Sequence, residues 1–446
     1  MSTLTWIGYT TLYREGGPKF ARVAATMEAD RRAAHPDRLV RSERLESKLD
    51  FVRAMERVRD EGHALGELHF IGHSGMYGPM FRTTSMPEQF SPHEWRNLKL
   101  PFAPGASARF HACRTARWFA PFFARTFGVT AYGYHWYTTI STRPDRFAWE
   151  GVGRGPGGRN GAGDGPLYVI AIPGKKSHGI AGSALKYSGL ARAEAMKRFE
   201  PSDPDGDTSY DGVAELYADV FEDIGVRRDE WRWLEKHLSR TPAPRVLDLG
   251  CGNGALLGKL APRLAHGVGV DRSPRMIDLA RARAQVAGDA HLRYQTVDGP
   301  GLPFADGSFD IVVSLLSFRY LDWDPIMNEI RRVLAPRGRL LVVDMVTVPL
   351  RARELPRFAR SKARQLVEHL RLPSFRQALR KLVGDPRWRV MLKHNPIRSD
   401  HELRWYLESR FPGRRVELLT VGWNTRVVAF DSGPLEPGWV PPQSYP

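Results

Sequence analysis

A chain of 446 residues, 42% hydrophobic and 26% charged, exceeds what one hydrophobic core organises, so two domains are expected. Its formal charge of +17 would suit a polyanion, but Arg is spread through both halves (Arg31-Arg32, Arg281, Arg283, Arg331-Arg332, Arg414-Arg415), which favours a solvated basic surface over a dedicated nucleic-acid face. No apolar run is long enough to cross a bilayer, the start MSTLTWIGYTT lacks the parts of a secretory signal, and a cytoplasmic setting is expected. Two cysteines, Cys113 and Cys251, exclude a disulfide framework, and fourteen histidines in no ligand spacing ask for no metal.

A strand over residues 4–9 is expected first. Residues 20–61 carry apolar side chains at helical spacing (Leu45, Leu49, Val52, Met55, Val58), broken at His35-Pro36, which predicts two helices. A buried strand over 65–71 follows, then a Gly-rich turn (Gly72, Gly75, Gly78) and a short helix opened by Ser91-Pro92. The next buried strand, 106–112, runs straight into Cys113; residues 118–127 read as a helix and 129–137 as a strand. A glycine-rich stretch, 151–165, leads into an apolar strand over 167–172. This alternation is the pattern of an α/β domain, here residues 1–185. Pro201-Ser-Asp-Pro204-Asp-Gly206-Asp is a turn cluster that helices and strands do not tolerate, so 186–209 reads as a linker and 210–446 as a second domain.

In that second domain, residues 245–249 form a short apolar strand and 255–264 a helix, so Gly250, Cys251, Gly252, Asn253 and Gly254 sit at a strand-to-helix turn. Glycines there let a ligand touch the backbone. A second strand, 267–270, ends in Asp271, where an acid accepts hydrogen bonds from ribose hydroxyls. A third, 292–297, ends in Asp298, and a fourth, 309–314, in Ser314; all these ends share the carboxyl edge, where ligands bind in an open α/β sheet. The glycine pattern alone also fits a dinucleotide turn. Asp248, just before it, favours an ammonium-bearing ligand over a pyrophosphate, and an expected hairpin of 416–421 with 426–430 is foreign to a purely parallel sheet.

The blocks VLDLGCGNG (246–254), GVDRSPRMIDLA (269–280), VDGPGLPFADGSFDIVVS (297–314) and IRRVLAPRGRLLVVD (330–344) resemble the class I methyltransferases, in particular the small-molecule group that includes ubiquinone- and menaquinone-biosynthesis enzymes. The resemblance spans about 210–430 and implies a Rossmann-like fold with a mixed seven-stranded sheet and S-adenosyl-L-methionine as cofactor. It implies that the turn Gly250 to Gly254, with Asp248, Cys251 and Asn253, borders the methionine part. Asp271, with Arg272 beside it, would hold the ribose, Met276 would wall the nucleoside, and Asp298 with Gly299 would meet adenine, Ser314 completing the set. Gly299-Pro300-Gly301 depart from the family's usual small or acidic residue, which shifts the adenine contact toward backbone.

The segment 347–410, rich in Arg, Leu and Trp, is expected to be helical and, as in such relatives, part of a lid over the acceptor. Methyl transfer from a sulfonium is an in-line displacement, so a base is optional and positioning dominates. Tyr210, Tyr217, Tyr320, His394 and His401 are the residues able to orient or deprotonate an acceptor, and each also reads as a packing residue.

The first domain places His73 after the strand 65–71 and Cys113 after 106–112, and a thiol needs a nearby imidazole to become a nucleophile. His73-Ser-Gly75 with Ala112-Cys113-Arg114 resembles the caspase-like cysteine peptidases, over roughly residues 4–172, and implies a peptidase dyad. A serine-hydrolase elbow is excluded because Met76 stands where glycine is required. The expected protein therefore methylates a small molecule or peptide and carries a caspase-like domain that cleaves or binds a peptide. The competing readings are a regulatory protein with an inactive recognition module and a nucleic-acid methyltransferase.

Overall fold

The computed structural model describes residues 2–148, 165–172, 188, 190–203, 210–395, 397–436 and 438–440, with backbone alone at 365–371, 393 and 394. The expected glycine-rich stretch 151–165 lies, apart from Gly165, outside the described residues. The chain forms two compact units, Met1–Pro204 and Asp205–Gln443.

The first unit runs β1 (Thr3–Thr10), α1 (Gly17–Ala34), β2 (Leu39–Leu45), α2 (Lys48–Asp60), β3 (Ala64–Ile71), the two-residue β4 (Ser74–Gly75) and β5 (Gly78–Pro79), α3 (Pro92–Asn97), β6 (Phe102–His111), α4 (Phe119–Phe127), β7 (Thr130–Gly133), β8 (Thr138–Ser141), β9 (Tyr168–Ala171) and β10 (Lys197–Phe199). Its main sheet has the order β10-β7-β6-β3-β1-β2, parallel except for β10 against β7. The strand order turns back between β1 and β3, so a crevice is expected at their carboxyl ends. An aromatic core of Trp6, Phe51, Trp95, Phe110, Phe119 and Phe123 is fully buried. Ser91 opens α3 with a capping box to Glu94, as Ser91-Pro92 leads one to expect.

Helical spacing over 20–61 predicts two helices alone, and the structure corrects this by placing β2 between them. β2 is an edge strand paired only with β1, and its sequence LVRSERL buries just Val40 and Leu45. A strand with one neighbour needs few apolar residues, so its pattern merged with that of α2. β10 is hidden in the same way: Lys197–Phe199 is a short edge strand inside the stretch read as linker.

The second unit runs α5 (Ala214–Val220), α6 (Arg228–Leu238), β11 (Arg245–Leu249), α7 (Ala255–Leu260), β12 (His266–Asp271), α8 (Pro274–Ala287), β13 (Leu292–Thr296), β14 (Phe309–Leu315), α9 (Trp323–Val333), β15 (Leu334–Thr347), α10 (Leu355–Arg371), α11 (Pro373–Gly384), α12 (Pro386–His394), α13 (Asp400–Arg410), β16 (Glu417–Val421) and β17 (Thr425–Asp431). The sheet order is β13-β12-β11-β14-β15-β17-β16, with β17 antiparallel to both neighbours, a Rossmann-like mixed sheet of seven strands. β11 and β14 bury Val246, Leu247, Ile311, Val312 and Val313 on both faces, which is why they read as unbroken apolar runs. α9 buries Trp323, Ile326, Met327, Ile330 and Val333, a stripe at helical spacing.

The insertion 347–410 is helical, and Leu382 of α11 and Met391 of α12 pack with Val213, Val220 and Phe221 around α5. Among the described residues no helix is long and apolar enough to cross a membrane.

Candidate functional site

The order of the second sheet reverses between β11 and β14, and the glycine turn leaves β11 at that point. Gly250, Gly252 and Gly254 have φ of +77°, +52° and +72°, the left-handed region that favours glycine. A Cβ on Gly250 would lie 2.3 Å from Ser317 Cβ, and one on Gly254 would lie 2.8 Å from the Tyr294 hydroxyl. Around Gly252 nothing lies within 4 Å of that position, so its backbone is open to a ligand. The turn is tied to β12: the Gly250 and Cys251 N–H groups donate to the Val270 carbonyl at 2.8 and 3.0 Å. Asp271 accepts from the Gly252 N–H at 3.0 Å and the Ser273 N–H at 2.9 Å. Ser273 caps α8 by accepting the Met276 N–H at 3.1 Å, and its hydroxyl donates to Asp211.

Asp248 is 1% exposed, and burial, then the charge of Asp271, pushes its carboxyl up to about 8. Among the described residues its Oδ1 has no hydrogen-bond partner. Leaving such an atom unpaired costs about 1–3 kcal/mol, a cost that a donor on a ligand removes. Burial also raises Asp271, against the pull of the Ser273 and Gly252 N–H groups. Cys251 is buried, and burial, then Asp248 and Asp271, holds its thiol well above the ordinary range, so it is inert filling and no nucleophile. An acid pair beside an open backbone fits a ligand carrying an ammonium group and vicinal hydroxyls.

Residues 247–342 match the family described as a methyltransferase domain. The second unit thus carries a methyltransferase domain. The chain is 39% identical over 123 residues to a demethylmenaquinone methyltransferase of Thermus thermophilus, covering 27% of this chain and 56% of that protein. It is 33% identical over 144 residues to an uncharacterised methyltransferase, YcgJ, of Bacillus subtilis (31% and 54%). A 2-phytyl-1,4-naphtoquinone methyltransferase of Synechococcus elongatus is 32% identical over 143 residues (30% and 61%). The chain thus spans between 54% and 61% of these relatives' lengths. The crystal structure of YcgJ aligns with 46% of this chain and 97% of its own, at 20% identity and a TM-score of 0.29.

Elsewhere around the methyltransferase domain's turn, Met276 is buried, and Asn253 donates from Nδ2 to the Phe221 carbonyl at 3.4 Å. Ser314 is buried and donates to the Leu249 carbonyl at 3.0 Å, beside Ser317, whose hydroxyl donates to the same carbonyl at 2.5 Å. Both serines hold the end of β11. The third strand stops at Thr296, so Asp298 lies in the following segment, exposed, 3.9 Å from the guanidinium of exposed Arg272. Gly299 follows at φ +96°. Ser273 carries a legible signal, an N-cap before proline, whereas Ser317 and Tyr294 carry none.

On the other side of β14, the Tyr210 and Tyr320 hydroxyls are 3.4 Å apart, and the Tyr210 ring stands edge-on to Tyr217 at 5.6 Å and to Trp388 of α12 at 6.3 Å. Arg319 donates to the Tyr320 hydroxyl at 3.0 Å and is paired with buried Asp344, which also accepts the Arg319 backbone N–H at 2.6 Å. Burial holds the Tyr210 phenol well above its ordinary range, so it serves as a hydrogen-bond donor at neutral pH rather than as a base. The structure therefore brings three of the five expected acceptor-side residues together. His401 is on α13, its ring edge-on to Trp405 at 4.9 Å and Nε2 3.4 Å from the Ser399 hydroxyl. The side chain of His394 lies outside the described residues.

In the first unit, His73 and Cys113 each stand two residues past neighbouring parallel strands, β3 and β6. The Ser74 hydroxyl donates to the Cys113 carbonyl at 2.5 Å, tying the two turns together. The side chains are bonded elsewhere. His73 Nε2 lies 2.9 Å from the Glu15 carbonyl, so it carries the proton, and its ring stands edge-on to Phe20 at 5.3 Å and Tyr13 at 5.8 Å. Cys113 Sγ is 3.2 Å from the Thr138 hydroxyl and accepts the Thr138 N–H at 3.3 Å.

Proposed function

We propose that the protein transfers a methyl group from S-adenosyl-L-methionine to a small, quinone-like acceptor. The observation that carries this reading is the buried, unpartnered Asp248 oxygen beside the open backbone of Gly252 and the carboxylate of Asp271. Asp248 would take the cofactor's ammonium group and Asp271 its ribose hydroxyls. Met276 would wall the nucleoside, and Asp298 with Gly299 would lie at the adenine edge. When bound, the cofactor supplies a methyl group activated by its sulfonium, and the chain's task is to align an acceptor and exclude water.

The aromatic group of Tyr210, Tyr217 and Trp388 offers an apolar wall on the acceptor side. Because Arg319 already donates to the Tyr320 oxygen, the Tyr320 proton is directed toward Tyr210 or an acceptor oxygen. The names of the Thermus and Synechococcus relatives support a quinone-like acceptor. The test is incubation of the full chain with methyl-labelled cofactor and a demethylated naphthoquinone. Labelled quinone is expected; label found only in peptide or nucleic acid would overturn the reading.

For the remainder we propose a working division into 1–185, a connection over 186–209 and 210–446. The first part is read as a caspase-like module that grips a peptide without cutting it, a reading supported by Cys113 Sγ, which is taken up by the Thr138 hydroxyl and N–H. Peptide cleavage by the full chain that disappears in Cys113→Ala would contradict this.

A further inference from the structure

We propose that the insertion of the methyltransferase domain docks on the surface of an anionic lipid bilayer through Trp423, Leu355 and Phe358 and the arginines along the same stretch. This goes beyond the methyl-transfer reading and does not depend on it. From Arg351 to Lys393 the chain carries thirteen Lys or Arg and three Asp or Glu, a surplus of ten out of the net +17. Glu354 is paired with Arg426, outside this stretch, and Asp385 with Arg387 within it.

Apolar groups break the surface within this basic stretch. Trp423 sits in the turn between β16 and β17, closed by the Gly422 N–H donating to the Thr425 carbonyl at 2.8 Å. Its carbonyl accepts the Leu350 N–H at 3.1 Å, which fixes the turn beside the start of the insertion. The indole is 65% exposed and stands 5.9 Å, edge-on, from Phe358 of α10. Leu355, one turn earlier on α10, is 51% exposed, and the Lys362 ammonium lies 5.8 Å from the Phe358 ring. Arg353, Arg357 and Arg360, spaced along the polar face of the same stretch, are exposed. Leu372, Val383, Val390 and Leu392 add exposed aliphatic side chains to the same insertion.

Phosphate-rich partners of two kinds would satisfy the arginines. A nucleic acid offers nothing to leucine and valine facing outward, whereas a bilayer interface accepts aliphatic side chains below the headgroups, an indole at their level and arginines at the phosphates. The exposed Leu355 and Trp423, with Phe358 between them in the helix and turn, decide in favour of lipid.

The experiment is co-sedimentation of the full chain with vesicles of phosphatidylcholine alone and of phosphatidylcholine with phosphatidylglycerol in equal parts. Binding to the mixed vesicles only is expected. Trp423→Ser should weaken it about tenfold, and Arg353→Gln and Arg357→Gln about fivefold each. Equal binding to both vesicles, binding unchanged in Trp423→Ser, or affinity for duplex DNA with none for vesicles would overturn the proposal. Cofactor titration of the same variants reads the glycine turn separately, so failure of the docking and failure of the methyl-transfer reading are told apart.

Discussion

At the end of β11 the second unit leaves Asp248 Oδ1 buried without a partner and Gly252 facing open space, whereas past β3 and β6 the first unit commits His73 to the Glu15 carbonyl and Cys113 to Thr138. Both places lie at the carboxyl edge of a parallel sheet, where ligands bind in such folds, so position does not distinguish them. What distinguishes them is hydrogen-bond satisfaction. A buried carboxyl kept unpaired costs stability that a ligand restores, while a thiol bonded to the Thr138 hydroxyl and N–H has its polar neighbours supplied by the fold. One edge keeps a carboxyl for a ligand, and the other bonds its thiol within the fold.

The largest blow to the second site is expected from Gly250→Ala. Its Cβ would collide with Ser317 and force a left-handed conformation on a non-glycine residue. A cost of about 3 kcal/mol is expected, lowering cofactor affinity about a hundredfold. Retained affinity, measured calorimetrically, would mean that the turn is looser than its contacts require.

Asp248→Asn comes next. Losing a charge-assisted hydrogen bond should weaken cofactor binding by about tenfold or more at pH 8. The same variant tests the buried carboxyl through pH. A carboxyl raised from 3.8 in the unfolded chain to about 8 in the folded one binds more protons when folded, so its stabilising effect is full below 3.8 and is lost as pH rises through about 8. The melting temperature of the ligand-free protein should therefore carry a downward contribution across that window, diminished in Asp248→Asn; identical pH profiles for the two proteins would contradict the assignment.

A smaller effect is expected of Tyr320→Phe, about tenfold in kcat with cofactor affinity unchanged, the loss of one hydrogen bond to an acceptor. Affinity and kcat falling together would place Tyr320 in the cofactor site instead. Least of all, Ser74→Ala should cost the first unit about 1 kcal/mol of stability, read from denaturant unfolding, and leave cofactor binding untouched. A change in cofactor affinity there would break the contrast between the two sites.

Much of the second unit was legible in the chain itself, because parallel strands buried on both faces are continuous apolar runs that end in glycine or aspartate. Val246 to Gly254 and Gly269 to Asp271 show this directly. β2 and β10 were illegible because edge strands need few apolar residues. Asp298 had the right spacing, and only the early end of β13 shows that it stands exposed beside Arg272. Arg319 and Asp344 form a pair across β14 and β15 that no local pattern announces, since the two residues are brought together by sheet pairing. The arginines of 351–393 alternate with apolar residues at helical spacing, so no unbroken basic run marks their concentration.

The most direct measurement is a calorimetric titration of S-adenosyl-L-methionine into the full chain and into Asp271→Ala. Saturable binding at one site is expected for the natural chain, weakened about thirtyfold or more once the carboxylate that holds Gly252 and Ser273, and is proposed to hold the ribose, is gone. No binding by the natural chain, or equal affinity in Asp271→Ala, would contradict the cofactor site at its foundation.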